Sequence, residues 1–181
     1  MESIRALSQA IGSSTIEEFT IDQYSGVSDS QTAVVVEGFG ETSSSLRSLT
    51  FGVHLGATRT PEAIASWLCS SSCRLECLHL TSLVPWRGDS NSSSSSASQC
   101  ETFQFTPIAQ ALSGVSNPPS SPTIVCPLKH LELEYNEISK KRLLAFGKAF
   151  RNTASCNIEK LNLQSTSLED VDMARLMSCL H

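Results

Sequence analysis

Five segments of the chain share one short apolar pattern, and their spacing limits the possible folds more than any other feature. The pattern is Ile16-x-x-Phe19-x-Ile21, Leu46-x-x-Leu49-x-Phe51, Leu75-x-x-Leu78-x-Leu80, Leu128-x-x-Leu131-x-Leu133 and Ile158-x-x-Leu161-x-Leu163. Their starts lie 30, 29, 53 and 30 residues apart. Alternating apolar residues suit a strand, and a recurrence of this length marks units that stack on one another.

A second element follows each strand. Apolar pairs Ile64 and Leu68, Phe146 and Phe150, and Leu176 and Leu180 fall 18 and 22 residues after the strand start. An i, i+4 pair is one stripe of an amphipathic helix. Pro61-Glu62 suits a first turn, and Lys140 to Arg151 is rich in helix formers. Each unit therefore reads as strand, turn, helix and return. Stacking would bury apolar surface that no unit can bury alone, giving a parallel sheet with helices on one side.

The long interval has a compositional cause. The third helix pair is Ile108 and Leu112, so extra residues lie on both sides of it. They are 87–101, with the serine tract Ser92 to Ser96, and 117–125, with Pro118, Pro119 and Pro122. Such segments cannot bury enough apolar surface to offset chain entropy and are expected to be flexible loops. The first unit is the weakest. Val34, Val35 and Val36 are poor helix formers, so 31–39 is open between helix, strand and irregular return. Gly38-Phe39-Gly40 reads as a turn. Met1 to Ile11, with Ile4, Leu7 and Ile11, reads as the helical half of a further unit.

These units resemble leucine-rich repeats of the long, ribonuclease-inhibitor type, which also occur in nucleotide-binding immune receptors and Ran GTPase activators. The residues carrying the resemblance are the strand cores, Asn136-x-Ile138, and Cys73, Cys126 and Cys156 two places before three strands. The resemblance implies an α/β solenoid, a horseshoe with a concave parallel sheet and convex helices, formed by residues 1–181 as a single array. The family's turn Asn is present only as Asn136; Tyr24, His54, Leu83 and Thr166 replace it elsewhere. Thr166 could partly substitute through its hydroxyl. With no polar cap after Leu180, the chain is expected to be part of a longer array.

Function is constrained more by exclusion than by motif. A formal net charge of −5, from 13 basic and 18 acidic residues, argues against nucleic acid as a partner. No unbroken apolar run is longer than Ala33 to Val36, far too short to span a membrane, and no signal peptide is apparent. Seven cysteines without a secretory signal point to reduced thiols in the cytoplasm, or the nucleus. No phosphate-binding glycine loop, nucleophile elbow or zinc-protease motif occurs, so no enzyme activity and no cofactor are expected.

The remaining candidate surface is the strand side chains between the buried leucines. From Glu17 in the first row to Ser165 in the last, these include seven acidic and three basic residues. A protein partner with a basic patch is the natural complement. The expected binding residues are Glu18, Asp22, Glu76, His79, His130, Glu132, Glu134, Tyr135, Lys160 and Asn162. Regulation of a small GTPase, or a role as a fragment of an immune-receptor-like protein, are alternatives the resemblance allows. Cys77, His79, His130 and Glu132 should form a square of possible metal ligands, though no metal site is assigned. Cys69, Cys73 and Cys77 are spaced like a helical ligand ladder, but the register puts them at a helix end, in a return and on a strand.

Overall fold

The computed structural model describes residues 2–22, 28–42, 45–52, 58–81, 104–114, 126–136, 138, 140–151, 156–166 and 168–179. The insertions 87–101 and 117–125 lie outside these residues, as do Tyr24, His54, Leu83 and Leu180. Helix and strand alternate: α1 (Glu2–Gly12), β1 (Glu18–Asp22), α2 (Asp29–Glu41), β2 (Ser48–Gly52), α3 (Arg59–Leu68) and β3 (Cys77–Leu80). There follow α4 (Thr106–Leu112), β4 (His130–Glu132), α5 (Lys140–Arg151), β5 (Lys160–Asn162) and α6 (Asp170–Cys179).

The strands form one parallel sheet in sequence order. Parallel neighbours need a crossover between them, and a helix provides it each time. The register puts Phe19, Leu49, Leu78, Leu131 and Leu161 in one row. Thr20, Thr50, His79, Glu132 and Asn162 make the next row. Helices pack in chain order, each against the next. Their inward residues Val36, Phe39, Ile64, Leu68, Ile108, Leu112 and Phe146 share a core with the leucine rows. Each such fully buried side chain contributes about 1.5–3 kcal/mol. The fold is thus α/β, with helices against one face of the sheet.

Residues 31–39, open in sequence, belong to α2, and Gly38-Phe39-Gly40 is helix and not a turn. Three contacts override the poor propensity of the valines. Ser28 caps the helix in a reciprocal pair with Gln31. Val35, Val36 and Phe39 are buried, and the Phe39 ring meets Phe19 edge-on with centroids 5.6 Å apart. Gly38 lets α1 come close: a Cβ there would lie 2.1 Å from Ser8 Oγ, whose hydroxyl donates to the Val35 carbonyl. Asp29, in the first turn of α2, then accepts from the Arg59 and Thr60 amides and caps α3 from the neighbouring helix.

In α1 the buried stripe differs from the expected one. Ile4 and Ile11 pack against the core, while Leu7 is 58% exposed and Ser8 takes the inward place against α2. A small side chain is what the close helix contact admits. Cys69 caps the end of α3, Cys73 lies in the return and Cys77 opens β3, as the register implies. Burial pushes the Cys73 thiol up to about 11 and the Cys126 thiol up to about 12. No helix among the described residues is long and apolar enough to cross a membrane.

Candidate functional site

The sheet face turned away from the helices carries the polar residues, because side chains alternate along each strand. Three sets of contacts organise it. The first is a row of alternating charge just ahead of the strands: Glu17, Arg47, Glu76, Lys129 and Glu159. The backbone holds it in line, since the Arg47 amide donates to Glu17, Glu76 to Arg47, Lys129 to Glu76 and Glu159 to Lys129. Arg47 pairs with Glu76 and stands 3.9 Å from Glu17, and Lys129 Nζ is 2.9 Å from Glu76 Oε2. The Lys129 ammonium, through its hydrogen bond and charge, holds the Glu76 carboxyl below its usual range, with Arg47 adding to the effect. Glu76 in turn raises Lys129. Sequence reasoning placed these residues on the face but missed that they pair; their spacings of 30, 29, 53 and 30 residues, the same as those of the strand starts, were the available signal.

The second set comes from the four possible ligands Cys77, His79, His130 and Glu132, to which the sequence assigned no metal. Cys77 lies beside His130 and His79 beside Glu132 in the strand register. The four side chains close as two lateral pairs. Cys77 Sγ is 3.5 Å from His130 Nδ1, and His79 Nδ1 is 2.9 Å from Glu132 Oε2. Glu132 also faces Lys160 Nζ at 3.9 Å. Among the described residues no group of three or more His, Cys, Asp or Glu side chains is arranged to hold a metal ion. The reason is geometric: partners meet across strands about 4.8 Å apart, whereas successive same-face residues along a strand are about 6.6 Å apart.

A thiol beside an imidazole also raises the question of a nucleophile. The surroundings oppose it. Desolvation pushes the Cys77 thiol up, and the carboxylates of Glu76, Glu132 and Glu18 push it further. A nucleophilic cysteine needs the opposite field.

The third set lies at the end of β4. Asn162 Nδ2 donates to Glu134 Oε1. Asn136 is buried and donates to the carbonyls of Leu80 and Glu134, the latter at 3.0 Å, tying the turn to β3. Thr166, at the matching place after β5, donates to Leu163 O at 2.7 Å. Its hydroxyl satisfies one carbonyl within its own turn and does not reach the neighbouring strand. Tyr135 and Ser165 both take left-handed backbone, with φ 56° and 54°. The Tyr135 amide bonds Gln164 O, and the residue is 54% exposed.

Of the ten expected binding residues, the structure gathers most towards β3, β4 and β5. His79, Glu132 and Lys160 form one chain of contacts, and Glu134 and Asn162 another. His130 reaches Cys77, and Glu76 belongs to the charged row. Glu18 and Asp22 lie on β1, opposite Ser48 and Gly52 in the register. Three strand spacings, about 14 Å, separate β1 from β4. No protein-family model matches the chain, and a search of curated proteins finds no relative.

Proposed function

We propose that the chain is a leucine-rich repeat array of the ribonuclease-inhibitor type, and that it acts without catalysis as a protein-binding module. The observation carrying this reading is a five-stranded parallel sheet with one face that, among the described residues, is free of helices and carries ordered polar rows. The three described cations of that face, Arg47, Lys129 and Lys160, are each engaged by a carboxylate of the same face. Its surplus charge is therefore negative, and a basic surface of a partner protein complements it. In a solenoid this face would be the concave side of a horseshoe, the usual place for recognition. Free thiols at Cys69, Cys73, Cys77, Cys126 and Cys156 suit a reducing compartment such as the cytoplasm.

Capture of partners on immobilised protein tests the reading. Wild type should retain proteins at low salt and lose them as salt rises, and a Glu132→Lys, Glu134→Lys double variant should retain fewer. Equal retention by the double variant would remove the sheet face from consideration.

A further inference from the structure

The geometry points to Tyr135 as the anchor of this face, with an arginine-bearing segment of the partner protein as its occupant. The inference rests on the reading of the face as a protein-binding surface and adds where and by what chemistry it binds.

Neither packing nor backbone preference explains a tyrosine here. The residue is 54% exposed, so the core gains little from it. Its φ of 56° is unfavourable for a bulky side chain, and the matching turn after β5 is made with Ser165 at φ 54°. The turn thus requires the left-handed conformation and has no need of an aromatic ring. It is also well fixed, by the Tyr135 amide on Gln164 and by buried Asn136 beside it. A tyrosine held on such a turn loses little conformational entropy when it is covered, which is what a binding anchor needs.

Charge selects the occupant. Among the described face residues, Glu17, Glu18, Glu76, Glu132, Glu134 and Glu159 outnumber Arg47, Lys129 and Lys160. Glu134 directly precedes Tyr135, and its Oε1 accepts from Asn162. A guanidinium can stack flat on an exposed aromatic ring and still donate in its plane to a carboxylate; an ammonium has no flat face to stack.

Nona-arginine and nona-lysine peptides, titrated at low ionic strength by fluorescence anisotropy, test this. Wild type should bind both, with nona-arginine tighter. Tyr135→Ser, which Ser165 shows the turn accepts, should weaken nona-arginine about two- to fivefold and leave nona-lysine nearly unchanged, while Tyr135→Phe retains wild-type binding. Equal weakening of both peptides, or none, would overturn the anchor while leaving the acidic face standing. Failure of wild type to bind either peptide would overturn both.

Discussion

The fourth and fifth strands enter the same turn with the same backbone, yet they hold it by different means. After β4, Asn136 is buried and bonds both its own turn and β3. After β5, Thr166 bonds only the Leu163 carbonyl. The leucine rows differ likewise: Leu131 and Leu133 are fully buried, whereas Leu161 and Leu163 are partly exposed at a strand with one neighbour in the sheet. The same strand pattern is therefore buried unequally, because burial comes from the units on either side.

Three measurements can break or sharpen that contrast. Leu131→Ala should cost about 3–5 kcal/mol by chemical denaturation and Leu161→Ala about half as much, since less apolar surface is lost at the edge. Equal losses would mean that the edge is covered in solution. Asn136→Ala should cost about 1–3 kcal/mol because it leaves buried carbonyls unpaired, and Thr166→Ala about 0.5–1 kcal/mol. A reversal of that order would show that the turns are not anchored as described.

The smallest effect belongs to the charged row. Glu76 has its pKa depressed in the fold, so its contribution is present above the unfolded carboxylate pKa and lost as pH falls through the lower folded value. Lys129 is raised, so its part is fully present below the unfolded lysine pKa and lost as pH rises through the folded one. Both groups are partly exposed, and the effect should shrink with salt. Glu76→Gln should flatten the acid limb of a stability–pH curve at low salt; an unchanged limb would show that the row contributes nothing.

Much of the scaffold was legible because apolar spacing is a strong signal. Leu46, Leu75, Leu128 and their partners marked the strands, and the intervals between them supplied the register. Helix α2 was not legible, since its valines argue against helix and the compensating contacts with Ser8, Phe19 and Trp67 come from distant parts of the chain. The site was legible as a face but not as a network. Nothing in the separate strings Glu17, Arg47, Glu76 and Lys129 reveals pairing until the register lays them side by side. Cys77, His79, His130 and Glu132 stand side by side as the register implied, and they meet as two lateral pairs.

The deeply buried thiols of Cys73 and Cys126 carry a practical meaning for the folded chain. Burial holds both thiols in the neutral form at neutral pH. Alkylating reagents consume thiolate, so these two sulfurs react at a rate set by how often the interior opens. The protein contains its own clock for local unfolding, placed at the returns that lead into β3 and β4.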